Sequence, residues 1–527
     1  MKKILLCVSV LFIAICSNAQ VTFQKSYGEF FVDMGQSMVQ TNDGGFCIVG
    51  MTGPDLADSS DILVIRTDAE GSQIWSARLA GPKDDIITDI VQTNDGGFLL
   101  VGNTFSSPTD TAFSDIIAIK IDDGGFVYWS KTFGGTDYEE AQSVVNTNDG
   151  GYVILGSTMS YGSVDQSAFA MKIDDSGNQV WTNTSSTFSS NYFYGADQTN
   201  DGKYIAAGGT YNAVGATDFD HYITKLDTNG SILWSKSHGT TQADFLYDIS
   251  STANGSYLAA GISYGNTVGS ADMNVLKLDA NGDVIWSFNY GTVEYDNASS
   301  VLELANGDIL VCGYTNIGTS MNVVNQMALM KLDSAGAMLW SMTYGDISLT
   351  SEAYKALPTS DGYALCGFSV GFDPLGDSYL VKTDGVGESG CYNQPIVYTR
   401  TASTMTSNLG FSELIGFIDE FPTPFIPVTF TNQFSQICFS VSVGENELSN
   451  RFDVYPNPAK SFIKVVPGDE MTSGSITIYD VTGRTVRQLE FSNQKEILID
   501  LKDMNAGMYM LSIITDEGVA TKTFVRE

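Results

Sequence analysis

Residues 93–129 read TNDGGFLLVGNTFSSPTDTAFSDIIAIKIDDGGFVYW, and this stretch decides the fold. It contains two short turn sequences, NDGG at 94–97 and DDGG at 122–125, which lie between runs of aliphatic and aromatic residues. Asn and Gly accept the positive φ of tight hairpin turns, and Asp caps the amides of such turns. The run at 116–119 has no polar face, which predicts strands that are covered on both sides.

The same stretch recurs along most of the chain. NDGG-like turns occupy seven positions, at 41–46, 93–98, 147–152, 199–204, 252–257, 304–309 and 359–364. In six repeats a second motif, Asp-x-x-Gly, precedes a tryptophan, and this register holds every tryptophan of the chain: Trp75, Trp129, Trp181, Trp234, Trp286 and Trp340. Each repeat has four strand-like runs. Radial repetition of such a unit is typical of a β-propeller.

The two ends of the repeat region predict ring closure. The seventh repeat reaches Lys382-Thr383-Asp384 but has no tryptophan strand after it. The sequence FQKSYG at 23–28 resembles WSKTFG at 129–134, so the start of the mature chain can supply the missing strand. We therefore predict an all-β protein with a seven-bladed propeller of four-stranded blades over residues 20–390. Closure would remove the exposed sheet edge of an open array.

Composition excludes several classes of function. The net charge is -35, which opposes binding to nucleic acid, and we predict no nucleic-acid partner. The chain has two histidines, His221 and His238, so a histidine-rich metal site is excluded. They leave little room for a Ser-His-Asp or Cys-His catalyst, and we name no catalytic residue. Carboxylates are abundant, so a carboxylate-dependent hydrolase stays an alternative.

The N-terminus predicts export. Residues 2–3 are basic, residues 4–15 are apolar, and the small residues 17–19 follow. This is the pattern of a signal peptide over residues 1–19, with cleavage between Ala19 and Gln20. We predict no transmembrane segment in the mature chain. An oxidising compartment would permit a disulfide between Cys391 and Cys438, which flank a part-structured connector predicted at 391–450.

The C-terminal segment, residues 451–527, has a sequence of its own, with alternating strand-like runs and Asp/Gly turns. Its motif residues are Tyr455, Pro456, Asn457, Pro458, Gly483, Gly507 and Tyr509. The segment resembles the type A sorting domain of the Bacteroidota type IX secretion system. The resemblance implies a small Ig-like β-sandwich, partnership with the type IX secretion machinery, and a secreted or outer-membrane-surface location reached via the periplasm. It also implies removal of the domain, followed by release or by attachment to lipopolysaccharide.

Candidate binding residues lie in the parts of the repeat that vary. The hairpin turns are nearly identical, whereas the connections on the opposite side differ in every repeat, and loops on a rigid scaffold commonly carry recognition. The candidates from these connections and the strands after them are Tyr138, Glu140, Tyr161, Tyr211, Tyr264 and Tyr295. The nearest approach to a calcium loop is Asp279, Asn281 and Asp283, although it lacks the full ligand spacing.

The Asp-x-x-Gly-x-x-x-Trp element is also similar to the tryptophan-docking motif of pyrroloquinoline quinone enzymes. We predict no cofactor, because no cofactor-binding constellation accompanies the motif, and we expect the tryptophans to pack between blades. The leading interpretation is an exported binding or adhesion protein for a glycan or protein ligand. The alternatives are an extracellular polysaccharide hydrolase or lyase with carboxylates at the channel mouth, and a purely structural envelope protein.

Overall fold

The structure of the protein is a computed structural model. It describes residues 20–527 except 29–31, 54–58, 107–112, 162–165, 187–189, 212–217, 319–322, 372–374, 410–411, 416–418, 423–425, 430–432, 443–451, 468–472, 481–484, 493–495, 516–517 and 527, and it describes the backbone alone over 406–453 and 514–521. The described residues form antiparallel β-sheets and contain no helix. The chain has two compact units, one of Val21–Ser440 and one that includes Val441–Glu527. The predicted signal peptide lies outside the described residues.

The first unit contains seven five-stranded sheets, and four strands of each sheet come from one sequence repeat. Sheets 1 to 3 are built from β2 Val32–Gln40, β3 Phe46–Gly53, β4 Asp61–Thr67 and β5 Gln73–Ala80; β6 Asp85–Gln92, β7 Phe98–Thr104, β8 Asp115–Ile121 and β9 Val127–Gly134; and β10 Glu139–Asn146, β11 Tyr152–Thr158, β12 Ser167–Ile173 and β13 Gln179–Ser186.

Sheets 4 to 6 follow the same order of strands. They are built from β14 Asn191–Gln198, β15 Tyr204–Tyr211, β16 Phe219–Leu226 and β17 Ile232–Gly239; β18 Asp244–Ser251, β19 Tyr257–Ser263, β20 Asp272–Leu278 and β21 Val284–Gly291; and β22 Asp296–Glu303, β23 Ile309–Asn316, β24 Asn325–Leu332 and β25 Met338–Tyr344. Sheet 7 contains β26 Ser351–Pro358, β27 Gly362–Ser369, β28 Asp377–Asp384 and the N-terminal strand β1 Gln20–Gly28.

The N-terminal strand lies inside sheet 7. Strand β1 pairs antiparallel with β28, with Phe23 opposite Lys382 and Tyr27 opposite Ser378. The side chains of Phe23 and Tyr27 are fully buried. Sequence positions at opposite ends of the repeat region thus share one sheet, which is the pairing that the FQKSYG sequence predicts.

The sheets pack face to face in a cyclic series. One apolar cluster joins sheet 1 to sheet 2, and further clusters join each later sheet to the next one. A last cluster joins sheet 7 to sheet 1, with Phe23 packed in the same core as Ile48. Because both faces of the central strands are covered, all seven residues of β4, β8 and β12 are buried. This burial explains why those strands have no polar face.

A segment predicted as a connector supplies the fifth strand of every sheet. We call its seven strands the belt: β29 Asn393–Pro395, β30 Thr399–Ala402, β31 Thr406–Leu409, β32 Ser412–Ile415, β33 Asp419–Pro422, β34 Ile426–Thr429 and β35 Gln433–Ser442. In chain order the belt joins sheets 6, 5, 4, 3, 2, 1 and 7, each time beside the outermost strand. The predicted four strands per blade are therefore one too few, because a sheet edge accepts a further strand by backbone pairing alone.

The first part of the belt is also anchored by side chains. Tyr398 is buried in the cluster between sheets 5 and 6, and Ile396 packs against the same cluster. The Arg400 guanidinium lies 4.3 Å from the centre of the Phe288 ring and donates a hydrogen bond of 2.8 Å to the Gly336 carbonyl. These contacts make the belt a packed part of the first unit.

The second unit contains two small sheets. A three-stranded sheet is formed by β36 Phe452–Tyr455, β37 Phe462–Pro467 and β40 Ile497–Asp500, and a four-stranded sheet by β38 Ser473–Asp480, β39 Thr485–Ser492, β41 Gly507–Thr515 and β42 Gly518–Arg526. One apolar core contains residues from both sheets. The motif residue Asn457 accepts a hydrogen bond of 2.9 Å from the Val525 amide, and Tyr509 donates one of 2.8 Å to the Asn505 carbonyl. Gly483 lies outside the described residues.

Candidate ligand-binding face

The first strands of the seven sheets contact one another in a closed cycle, and we call them the inner strands: β2, β6, β10, β14, β18, β22 and β26. Each has a bulge after its third or fourth residue, which adds one unpaired residue. Bulges re-aim side chains and often occur near functional sites. The end with the NDGG and Asp-x-x-Gly hairpins is called the turn end, and the opposite end is the loop end.

The turn end repeats one structural arrangement. Asp43 accepts hydrogen bonds of 2.6 Å from the Thr41 hydroxyl and 2.8 Å from Arg66, and these interactions lower the pKa of Asp43 to about 2. The Trp75 indole donates a bond of 2.9 Å to the Asp123 carbonyl in the turn of the next sheet. Because the same contacts recur from sheet to sheet, the turn end stabilises the fold and offers little that is specific to one sheet.

A buried residue, which we call the anchor, is the first or second residue of each inner strand, at the loop end. The anchors are Asp33, Asp85, Glu139, Asn191, Asp244, Asp296 and Ser351. Asp85 accepts hydrogen bonds from the hydroxyls of Thr104 and Ser106, yet burial outweighs them and raises its pKa to about 7. Burial likewise raises the pKa of Asp296 to about 6. Asp85 and Asp296 thus hold the neighbouring loops by accepting hydrogen bonds from protein donors, Ser106 at Asp85 and Thr292 at Asp296.

The residues just after the anchors differ from sheet to sheet. In order of the sheets, the residues after the anchors are Met34, Ile86, Glu140, Tyr192, Phe245, Asn297 and Glu352, and the bulged residues are Gln36, Thr88, Gln142, Tyr194, Tyr247, Ser299 and Tyr354. Aromatic residues are concentrated in sheets 4 and 5, whereas sheets 1 and 2 carry aliphatic and small polar residues. The inner strands thus provide nonequivalent groups on a repeating scaffold.

Sheets 4 to 6 bring their aromatic residues together at the loop end. We call this set the aromatic arc: Tyr192, Tyr194, Tyr211, Phe219, Phe245, Tyr247, Tyr264, Tyr295 and Tyr314. The ring centroids of Tyr194 and Tyr247 lie 5.5 Å apart, and those of Phe219 and Phe245 lie 5.0 Å apart. Such separations are those of favourable aromatic pairs. Burial raises the pKa of Tyr194 to about 12, so the phenols stay neutral donors and acceptors.

Two glutamates flank the aromatic arc, one from sheet 3 and one from sheet 7. Glu352 accepts hydrogen bonds of 2.8 Å from the Tyr354 hydroxyl and 2.5 Å from the Asn325 amide. Glu140 is half-buried, and burial raises its pKa. It also interacts electrostatically with the Tyr194 hydroxyl. Within the described residues, no hydrogen bond or ion pair involves the Glu140 carboxylate.

A polar layer lies on the inner strands beyond the bulges. Asp248 accepts hydrogen bonds of 2.8 Å from Ser300 and 3.0 Å from the Val301 amide, and Lys355 lies 3.8 Å away. The negative charge of Asp248 is the largest influence on Lys355 and raises the pKa of its ammonium group. Asp89 accepts bonds from Ser37 and Ser143 on both sides. Each carboxylate here has protein partners, so the layer ties the inner strands together.

The structure places the six predicted binding residues in two groups. Tyr211, Tyr264 and Tyr295 belong to the aromatic arc, and Glu140 flanks it. Tyr138 instead packs against Phe113 with ring centroids 4.8 Å apart. The Tyr161 hydroxyl donates a bond of 3.4 Å to the Gly134 carbonyl, and its ring packs against the core between sheets 2 and 3.

Sequence reasoning missed the aromatic residues inside the inner strands, including Tyr192, Tyr194, Phe245 and Tyr247. The prediction was based on the variable loops, whereas these four residues lie on strands that share the common pattern of the repeat. Aligning the repeats position by position gives the missing signal, because these positions hold aromatic residues in a minority of the sheets.

The predicted calcium loop is occupied by interactions within the protein. Asp279 accepts hydrogen bonds of 2.8 Å from the Asn281 amide and 2.9 Å from the Asp283 amide, and Asp283 forms an ion pair of 2.5 Å with Lys236. Among the described residues, no group of three His, Cys, Asp or Glu side chains is arranged to hold a metal ion. The described part of the chain also has no helix long and apolar enough to cross a membrane.

Cys391 is disulfide-bonded, whereas Cys47, Cys312 and Cys366 are buried free thiols. The predicted partner, Cys438, has its side chain outside the described residues. The Cys391 carbonyl accepts a hydrogen bond of 2.5 Å from Gln24 on β1, and the strand next to β1 is β35, which contains Cys438. Both cysteines therefore lie beside β1: Cys391 through its hydrogen bond with Gln24, and Cys438 through the pairing of β35 with β1.

Comparison with protein families gives one match, to the secretion-system C-terminal sorting domain over residues 453–527. This segment is a type IX sorting domain and indicates export to the cell surface or the surroundings. No curated protein matches the chain. The family match covers the second unit and leaves the activity of the first unit open.

Two solved structures are similar in part. The crystal structure of Sqt1 from Chaetomium thermophilum matches with 11% identity and a TM-score of 0.41, covering 68% of this chain and 98% of that one. The extracellular domain of a candidate one-component system from B. thetaiotaomicron matches with 10% identity and a TM-score of 0.28, covering 94% of this chain and 69% of that one. At these TM-scores neither similarity supports an argument about function.

Proposed function

We propose that the first unit is a seven-bladed β-propeller that binds a glycan or protein ligand at the loop end, after export through the type IX system. The aromatic arc is the observation that carries this proposal. Its rings lie at repeat positions that hold aromatic residues in only some of the sheets, and several stay partly accessible, with Tyr211 38% and Tyr264 36% exposed. Aromatic side chains offer large rigid contact areas and dominate recognition surfaces.

The cyclic series of seven apolar clusters supports the propeller. So does the position of β1, which lies between β28 and the belt strand β35 in sheet 7. A propeller leaves its inner strands around a central axis, and the cycle of inner-strand contacts agrees with that arrangement.

The sorting domain at 453–527 supports the export route. In this proposal a signal peptide over residues 1–19 delivers the chain to the periplasm, and the type IX machinery recognises the sorting domain. Removal of that domain then leaves the propeller released or attached to lipopolysaccharide. Deleting residues 452–527 tests the route. We expect a folded first unit that stays in the periplasm, and normal surface delivery would contradict the proposal.

A binding screen of the mature chain, residues 20–527, against glycans and proteins tests the binding function. The double variant Tyr211→Ala/Tyr264→Ala should weaken binding of a hit by roughly tenfold or more. Tyr128→Ala is the matched control, because Tyr128 is 56% exposed but lies on an outer strand at the turn end. Equal losses in both variants, or loss in the control alone, would overturn the choice of the loop end.

The enzyme alternative predicts turnover of any bound polysaccharide. Incubating each glycan hit with the protein and measuring new reducing ends or unsaturated products separates the two functions. We expect binding without cleavage. Cleavage that is lost in Glu140→Gln and retained in Tyr128→Ala would favour the hydrolase or lyase.

A further inference from the structure

Among the described residues, the charged groups that act on the aromatic arc are carboxylates. Glu140 acts on Tyr194 and Glu352 on Tyr314, whereas Lys355 on the inner strand of sheet 7 is paired with Asp248 in the polar layer. The chain as a whole has a net charge of -35. An anionic ligand, such as a uronic-acid or sulfated glycan, would be repelled at this face, whereas a cationic ligand would be attracted.

Among the described residues, the Glu140 carboxylate has no hydrogen-bond donor or cationic partner. It is half-buried, and none of the hydrogen bonds and ion pairs between described residues reaches it. Its counterpart at the other flank, Glu352, accepts hydrogen bonds from both Tyr354 and Asn325. A partly desolvated carboxylate without a donor is unfavourable, and a ligand that brings a charged donor removes that penalty.

The aromatic rings beside Glu140 are suited to the same ligand charge. The rings of Tyr192 and Tyr194 are stacked, with centroids 6.1 Å apart and planes 5° from parallel. An aromatic face attracts a cation within about 6 Å of its centre. Glu140 and Tyr192 occupy the same position on the contacting inner strands β10 and β14, directly after their anchor residues, so the carboxylate lies on the strand next to the two stacked rings.

The extent of the arc indicates a ligand longer than a single ammonium ion. A second stacked pair, Tyr295 and Tyr314, has centroids 6.2 Å apart and planes at 20°. Tyr314 lies on β23 of sheet 6 and Tyr295 immediately precedes β22, whereas Tyr192 and Tyr194 lie in sheet 4. Rings spread over three sheets can contact successive sugar units through the C–H faces of the sugars.

We propose that the aromatic arc binds an amine-bearing glycan, with a free ammonium group of the sugar at Glu140. This inference rests on the proposed binding function and adds the chemical class of the ligand. Binding pairs the Glu140 carboxylate with the ammonium group, places that group beside the stacked Tyr192 and Tyr194 rings, and stacks neighbouring sugar units along the arc.

The test is calorimetric titration of the mature chain, residues 20–527, with a glucosamine hexamer and with its fully N-acetylated counterpart. The two probes share one sugar backbone; acetylation removes the positive charge of each amine and adds an acetyl group, so the Glu140→Gln comparison isolates the effect of charge. We expect the amine form to bind at least roughly tenfold more tightly, as cation–π and ion-pair contacts of this size provide. Glu140→Gln should remove that preference and leave binding of the acetylated hexamer unchanged.

Glu70→Gln is the matched control, because it removes the same charge from an exposed turn-end residue, and it should retain the preference. Equal affinity for both hexamers, with binding lost in Tyr211→Ala/Tyr264→Ala, would overturn the amine assignment and leave the binding face intact. A lysine-rich peptide that binds in a Glu140-dependent way, while neither hexamer binds, would overturn the glycan. Absence of binding by all three probes would also overturn the inference. The binding function itself is tested separately by the screen of glycans and proteins described above.

Discussion

The four repeated strands of each sheet and the belt make the same kind of structure from very different sequences. The repeated strands follow one register through seven sheets, and their central members are buried on both faces. Most belt strands have three or four residues and come from a segment without the repeat, yet one joins every sheet. The central strands are buried by side-chain packing on both faces, whereas each belt strand joins its sheet by backbone pairing at an edge.

We infer from this difference that the stability of the first unit and its recognition of a ligand depend on different strands. The belt covers the outer edges, which would otherwise present unpaired backbone groups to other chains. Each inner strand is the opposite edge of its sheet and contacts the inner strands of the two neighbouring sheets, and the residues at its loop end vary from sheet to sheet. In this account the outside of the ring holds the structure together, and the loop end of the inside meets the ligand.

Removing the belt should have the largest effect. A chain ending at Gly390 loses all seven edge strands and the buried Tyr398, so we expect aggregation or a drop of roughly 10 °C or more in melting temperature. The control ends at Ser442 and keeps the belt while it lacks the sorting domain. Calorimetry of both chains makes the comparison. If the chain ending at Gly390 melts with the control, the belt is dispensable and our distinction fails.

The predicted Cys391–Cys438 disulfide would close residues 391–438 into a covalent ring that includes most of the belt. Closing a loop of this length stabilises a protein by about 3 to 4 kcal/mol in the chain-entropy treatment. We expect Cys391→Ser to lower the unfolding free energy by that amount, and reductant to have no further effect on the variant. Peptide mapping without reductant should recover the linked pair, and a different partner for Cys391 would refute the pairing.

Alanine substitutions at two glycines separate the contribution of packing between sheets from that of backbone conformation. Gly282 and Gly307 have φ values of 79° and 84°, but a Cβ at 282 would lie 2.6 Å from the Trp234 ring, whereas none of the described atoms lies within 4 Å at 307. Gly307→Ala should cost about 1 kcal/mol for its left-handed conformation. Gly282→Ala should cost about 2 kcal/mol more, because the tryptophan must move. Equal losses in denaturant unfolding would mean that tryptophan packing contributes little.

The two ends of the sheets should respond to pH in opposite directions. Burial raises the pKa of Asp85 to about 7, above its unfolded value, so its contribution to stability is present at low pH and is lost as pH rises through 7. At the turn end, hydrogen bonding to Thr41 lowers the pKa of Asp43 to about 2, so its contribution is lost only in acid, as pH falls from about 4 toward 2.

We therefore expect the unfolding free energy to fall by about 2 to 3 kcal/mol for the Asp85 carboxyl between pH 5 and 8. Asp85→Asn should flatten that part of the profile, and Asp43→Asn should leave it unchanged. A profile that is insensitive to Asp85→Asn between pH 5 and 8 would contradict the buried, protonated state of this carboxyl.

The sequence predicted the parts of the fold that depend on periodic side chains. The NDGG turns, the tryptophan register and the likeness of 23–28 to 129–134 identify the strands of the seven repeats and place β1 beside β28. The belt has no such signal, because edge pairing uses backbone groups and imposes little on side chains. Its prolines and Ser/Thr clusters therefore suggested a connector.

Only part of the candidate site was predicted, because some of its residues lie in variable connections and others lie on strands. Tyr211, Tyr264 and Tyr295 stand out because they lie in variable connections or next to them. Tyr194 and Tyr247 lie on strands, where an aromatic residue usually indicates a core, and a bulge in each strand sets their position. A bulge of one residue leaves no clear mark in a single sequence, so the arc could be recognised only once the inner strands were aligned in space.

Hydrogen–deuterium exchange with and without a bound ligand tests the central claim most directly. The account places recognition at the loop end of the inner strands and stability in the belt. Ligand binding should slow exchange in the peptides that cover β14 and β18, including 192–194 and 245–247, and leave 393–442 unchanged. Protection confined to the belt or to the turn-end hairpins, with no change in β14 and β18, would contradict it.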